Sequence, residues 1–216
     1  MRLKLVGKKH ETSNIWSFDF EPMDKLSWQA GQSIRLEIPR KTWGYSERRF
    51  TISSLPSAPN LKIITRISDS EFKQDLSQLK IGSVINGYNI EGKLDWGNLS
   101  RTKIFIAGGT GITLFHMAIR QALLEKLPVN LLILYSSRDT PMLFEDYFDH
   151  ISKTNSYINI IKSSKRFDVN YIFNELQTYK EYDLHIAGPN DMVFGLKSGL
   201  KKLGISDQVL KSNFLL

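Results

Sequence analysis

The stretch KIFIAGGTGITLFHM, from Lys103 to Met117, constrains this chain more than any other. Lys103 to Ala107 is a short apolar, β-branched run bounded by glycine, which reads as a buried strand, and from Ile112 the apolar spacing becomes that of a helix. Between them lie Gly108, Gly109, Thr110 and Gly111. Glycines at a strand-to-helix turn let the backbone adopt positive φ and approach a ligand, while the helix start offers free N–H groups to a phosphate. The stretch is therefore either a pyrophosphate cradle or a tight turn of an α/β domain. GGTGIT is neither the GxGxxG fingerprint nor a phosphate loop with its lysine, so the rest of the chain has to choose.

With 216 residues the chain can hold one large or two small domains. No apolar run has the length of a membrane span, and MRLKLVGKKHE lacks the apolar core of a signal peptide, so a cytoplasmic protein is expected. The absence of cysteine excludes disulfides and thiolate-held iron–sulfur clusters, and the four histidines are scattered, against a zinc site. The net charge of +7 is spread evenly, with 15 basic against 11 acidic residues up to Ser100 and 14 against 11 beyond. Such a surface can attract nucleic acid or an acidic protein, or be merely solvated. No basic stripe or RNP-like segment marks nucleic acid.

The first hundred residues read as β. Ile15, Trp16, Phe18 and Phe20 fall largely on alternation, SIRLEI repeats it from Ser33 to Ile38, and Leu61 to Ile67 is another β-rich run. Turn residues recur between them, the pattern of a small antiparallel barrel, with one short helix at Glu71 to Leu79. Near Ser100 the pattern changes, which places a boundary between domains 1–100 and 101–216. Strands at 103–107, 130–135, 157–162, 183–187 and 208–214 then alternate with helices at 112–126, 142–151, 168–178 and 190–203. That order is a doubly wound parallel sheet.

Three groups of residues can carry chemistry. In GYSERRFTISSLP, Arg48 and Phe50 share one strand face and Thr51 lies on the other. A guanidinium, a ring and a hydroxyl suit a planar, phosphate-bearing ligand, and equally an edge strand with solvated arginines and a core Phe50. Ser70 and Lys73 open the short helix, where they can collect a phosphate or serve as an ordinary cap. In the second half, YSSRD (Tyr135 to Asp139) and AGPNDM (Ala187 to Met192) each follow a strand. In an open parallel sheet, ligands bind beyond the carboxyl ends of the strands, so these loops and the GGTG hinge are expected to line one crevice.

Taken together, RRFTISS, Gly31-Gln32, ITRISDSEFK, AGGTGIT and AGPNDMV resemble, in collinear order over nearly the whole chain, the ferredoxin-NADP reductase family of flavoproteins. The likeness is to its compact FAD/NAD(P)H oxidoreductases without an iron–sulfur domain. It implies a six-stranded antiparallel barrel binding FAD, an α/β domain binding NADPH or NADH, and hydride transfer from the nicotinamide to flavin N5 at their junction. Arg48, Ser70 and Lys73 would hold the flavin phosphates, Phe50 would stack, and Thr51 would bond near N5 and count as the catalytic residue. Ile52, Ser53, Thr65 and Phe72 complete the implied flavin site, together with Phe214 in the terminal KSNFLL. Gly108, Gly109, Thr110, Gly111, Ile112 and Thr113 would hold the coenzyme pyrophosphate. Gly188, Pro189 and Met192 would lie beside the nicotinamide, with Ser136 and Arg138 in the same crevice. Lys165 and Arg166, after a strand in KSSKR, would favour NADPH through its additional phosphate.

Three positions depart from the family. Leu114 stands where proline is common, Ala187 where many relatives carry cysteine, and the terminus is shortened. The implied function is an NAD(P)H-dependent flavoprotein reductase passing electrons to an acidic acceptor such as ferredoxin or flavodoxin. The alternative is a flavin-binding electron-transfer or regulatory subunit with little coenzyme turnover of its own.

Overall fold

In the computed structural model, which describes residues 1–39, 44–92 and 94–210, the alternation of the first half becomes a closed antiparallel sheet. Its strands are β1 (Arg2–Thr12), β2 (Ile15–Pro22), β3 (Ser33–Pro39), β4 (Tyr45–Thr51), β5 (Leu61–Arg66) and β6 (Val84–Glu91). They are ordered β4-β3-β6-β1-β2-β5. An antiparallel bridge between Ile52 and Ile63 and a 2.6 Å bond from the Ser53 N–H to the Lys62 carbonyl bring the outer strands together. Closure removes the open edges that would otherwise invite pairing with another chain. Leu3, Leu5, Phe18, Phe20, Ile34 and Leu36 fill the interior.

Helix α1 (Glu71–Gln78) inserts Phe72 and Leu76 into that interior. Its last turn has no basic residue of its own. Instead the Lys8 ammonium of β1 donates to the carbonyls of Ser77 and Leu79 at 2.9 and 2.8 Å, where the helix dipole favours a cation.

The second unit begins at Asp95 and the first ends at Leu94. The change of pattern at Ser100 comes after this point because Trp96 already packs 5.8 Å from Phe105. Four parallel strands follow: β7 (Thr102–Gly108), β8 (Leu131–Ser136), β9 (Ile158–Ser163) and β10 (Tyr182–Ala187), in the order β10-β7-β8-β9. Between and after them run α2 (Ile112–Leu124), α3 (Glu145–Thr154), α4 (Val169–Leu176) and α5 (Asn190–Lys202).

Both faces of this sheet are covered. Ile104, Ile106, Leu132, Leu134, Leu184 and Ile186 meet α4 and α5. On the opposite face Phe105 stacks on Phe115 of α2 at 4.3 Å, and Tyr135 lies 6.3 Å from Phe148 of α3. The chain crosses back from β9 to β10, so the sheet's topological switch lies between β7 and β10.

The strand expected at 208–214 is represented among the described residues by a single parallel bridge from Leu210 to Leu184. Helix α3 starts three residues later than the 142–151 reading, at Glu145, because Phe144 takes φ 61° and the Glu145 carboxylate accepts the Met142 N–H at 3.0 Å. No helix of the described residues is long and apolar enough to cross a membrane.

Candidate functional site

In the first unit, Phe72 and Lys73 of α1 lie against the ring of Phe50, with Thr65 of β5 and Arg48 of β4 acting on Lys73. The Lys73 ammonium lies 4.5 Å from the centroid of that ring and donates to the Thr65 hydroxyl. Phe72 packs against the other aromatic at 5.6 Å between centroids. Arg48 is exposed and spends one N–H on the Glu47 carbonyl at 2.8 Å. Among the described residues neither cation is ion-paired with a carboxylate, whereas the neighbouring Arg49 is paired with Glu91. Burial, and then the charge of Arg48, pull the Lys73 pKa down to about 8. A desolvated cation in the first turn of a helix, with a second acting on it from β4, fits a bound phosphate.

Ser70 strengthens that fit. It holds the N-cap position of α1 in an extended conformation, yet its hydroxyl makes no capping bond, so the ordinary role of such a serine is unfilled. The remaining predicted flavin residues sit deeper. Phe50 is only 5% exposed and belongs to the barrel core, so it has little ring surface to offer a ligand. Thr51 is buried, Ile52 closes the barrel, and Ser53 donates its N–H to the Lys62 carbonyl at 2.6 Å. Phe214 lies outside the described residues.

In the second unit the glycine hinge is a 3₁₀ turn, Gly109–Gly111, leading straight into α2. No side chain caps this end, which leaves early N–H groups of the turn for a ligand, while the Ile112 N–H at the start of α2 is bonded to the Gly109 and Thr110 carbonyls. The glycines of this hinge differ in what surrounds them. Gly109 takes φ 53° and faces open space. At Gly108 a β-carbon would meet the Met192 sulfur at 2.4 Å, and at Gly111 the Ala187 carbonyl oxygen at 2.4 Å. Those two are glycine because the β7 and β10 loops pack together at the switch point, a demand of the fold. Gly188 is pressed in the same way, against Met192.

Within the turn only Gly109 and Thr110 present surface. Ile112 is fully buried, and the Thr113 hydroxyl turns back to the Thr110 carbonyl at 2.9 Å. Ser136 donates to the Ala107 carbonyl at 3.3 Å, Arg138 and Pro189 are exposed, and Lys165 is exposed beside Ser163. A cavity of about 260 Å³ lies at this end of the sheet and brings together Ser136 at the end of β8, Arg166 of the β9–α4 loop and Met192 of α5. Phe167, Asp168 and Asp191 also line it and were not singled out from the sequence. Their signal was adjacency, since each is within two residues of a predicted one. Lys162, at the start of the basic KSSKR run, is committed to Glu145 and Asp149 at 3.1 and 2.6 Å.

No protein-family model matches this chain. It is 23% identical over 230 residues to the flavohemoprotein of Pseudomonas putida, covering 98% of this chain and 58% of that one. Among solved structures it is similar to the flavohemoglobin of Malassezia yamatoensis with bound FAD and heme, with a TM-score of 0.84 and 19% identity. That match covers 98% of this chain and 59% of the flavohemoglobin. The chain thus spans under two thirds of these two relatives. It is also similar to a ferredoxin NADP+ reductase from Neisseria gonorrhoeae with bound FAD and NADP, with a TM-score of 0.80 and 16% identity. There the match covers 99% of this chain and 98% of the reductase. A closed antiparallel sheet followed by a doubly wound parallel one, matched over nearly all of its length, gives this chain the ferredoxin-NADP reductase-like fold of FAD/NAD-binding domains.

Proposed function

We propose that this chain is an NAD(P)H-dependent flavoprotein reductase that binds FAD through its barrel and the pyridine nucleotide through its α/β unit. When bound, the flavin supplies the capacity to take a hydride from the nicotinamide and release electrons to an acceptor. The protein's task is then binding and orientation. Arg48, Lys73 and the start of α1 hold the flavin phosphates, and the uncapped turn at Gly109 and Thr110 receives the coenzyme pyrophosphate. Thr51 contributes its hydroxyl near the reacting nitrogen.

One observation carries this reading. Each unit offers groups suited to an anion: Lys73 at the start of α1 with Arg48 of β4 acting on it, neither ion-paired with a carboxylate among the described residues, and an uncapped glycine turn at the switch point. A dinucleotide cofactor and a dinucleotide substrate require such a pair. The fold, matched to reductases with bound FAD and NADP, supports it.

NADPH is the favoured coenzyme, because Arg166 lines the cavity and Lys165 stands exposed beside it. With a net charge of +7, an acidic electron carrier such as ferredoxin or flavodoxin is the favoured acceptor. Steady-state reduction of a dye acceptor with each coenzyme tests the first point. Replacing Lys165 and Arg166 by alanine should lower kcat/KM for NADPH roughly tenfold to hundredfold and spare NADH. Equal use of both coenzymes by the wild type would end the NADPH assignment. Flavin binding without any turnover would identify an electron-transfer subunit instead.

A further inference from the structure

The loop between β8 and α3 follows Ser136, carries Arg138 and ends in an unusual residue. Phe144, at the N-cap of α3, takes φ 61° and ψ 24°, a left-handed conformation costly for any side chain with a β-carbon and uncommon for a bulky one. Such outliers persist where surrounding contacts over-determine them, and they concentrate at functional loops. Here the contact is with α2. The Phe144 ring stacks on the His116 imidazole, with centroids 3.7 Å apart and planes 23° apart. Tyr147 of α3 closes on the same imidazole edge-on at 4.5 Å.

His116 is 6% exposed, and its Nδ1 has no hydrogen-bond partner among the described residues. A histidine used only for a buried hydrogen bond would not be placed so. Burial, and then the charge of Arg120 one turn along α2, hold its pKa down at about 3, so the stack is between two neutral rings. His116 sits in the second turn of the helix that starts at the glycine hinge. The other end of the β8–α3 loop is fixed separately. Ser137 donates to the Asp139 carboxylate at 2.7 Å, and the Ser137 N–H donates to the Ser163 carbonyl at 3.0 Å.

We propose that His116 is a positioning residue for coenzyme binding: its stack with Phe144 locks the loop carrying Arg138 to the helix that begins at the glycine turn. This rests on the reading of those loops as the NAD(P)H site. Loss of the stack frees one loop relative to the other and weakens coenzyme binding, while the flavin site on the barrel is untouched.

The test is steady-state kinetics of the flavin-loaded protein with NADPH, together with flavin content and thermal stability. His116→Ala should raise KM for NADPH on the order of tenfold with a smaller change in kcat and unchanged flavin content. His116→Phe, which keeps a flat neutral ring, should restore KM to near wild type. Phe144→Gly accepts the positive φ but lacks the ring, and should raise KM as His116→Ala does, which keeps the test usable if His116→Ala folds poorly. If both ring-deleting variants lower the melting temperature but leave KM unchanged in the folded protein, the contact is packing alone and the proposal fails. A wild type that shows no coenzyme-dependent turnover overturns the functional reading itself, which is a different result from a wild type that turns over and variants that match it.

Discussion

The Lys73 ammonium stands over the face of Phe50, 4.5 Å from the ring centroid, and the charge that acts on it is that of another cation, Arg48. A desolvated lysine facing a like charge is in an unfavourable position until an anion arrives.

This arrangement makes flavin binding depend on pH. Without ligand, Lys73 loses its proton at about pH 8, and a bound phosphate raises that value by favouring the ammonium. Below pH 8 the lysine is charged in both states and affinity is constant. Above pH 8 binding must take up a proton, so affinity falls by up to about tenfold per pH unit until the raised pKa of the complex is reached. Titration of the apoprotein with FAD at several pH values checks this. Lys73→Met should lose roughly 1.5 to 3 kcal/mol of affinity at pH 7 and show a flat profile above pH 8. The same slope in the variant would assign the pH dependence elsewhere.

His116 gives stability its own pH dependence. Its folded pKa is about 3 against 6.5 for the free side chain, so between these values the unfolded chain binds the additional proton. Stability therefore falls as pH drops below about 6.5, by up to about 1.4 kcal/mol per pH unit from this group. Denaturant melts of wild type and His116→Phe at pH 7 and pH 5 measure it. The difference between the two proteins should change between those pH values, and a constant difference would contradict the assignment.

The second unit is anchored at the opposite end of the sheet by a buried pair. Lys103 is 0% exposed and bonds the Asp183 carboxylate at 2.6 Å and the Asn98 carbonyl at 2.7 Å, with Arg101 also on Asp183 at 3.1 Å. Asp183→Ala leaves a buried ammonium without its counter-charge and should cost about 3 to 5 kcal/mol. Changing Lys103 to Met together with Asp183 to Leu should recover most of that loss, because the penalty comes from the orphaned charge. Differential scanning calorimetry of the single and double variants decides; equal melting temperatures would contradict the account.

The α/β unit is legible in the sequence because short apolar runs and helical spacing alternate there without interruption. The barrel is less so. Lysines break the alternation of β1, and Gly87 interrupts β6, where a β-carbon would meet Leu3 and Ile34 side-chain carbons at 2.7 and 2.9 Å. At the site, the glycine turn is visible as a motif, but the reason for Gly108 and Gly111 is not. It depends on β10 being the neighbour of β7, a long-range fact that local spacing does not encode. The 3.7 Å stack of His116 on Phe144 is hidden for the same reason, since periodicity says only that His116 faces inward.

The central claim is that one chain binds a flavin and reduces it with a pyridine nucleotide. The most direct measurement is the anaerobic visible spectrum of the purified protein before and after NADPH is added. The account predicts a yellow protein whose flavin absorbance bleaches on addition. A protein that stays colourless after incubation with FAD, or a bound flavin that neither NADPH nor NADH bleaches, would contradict it.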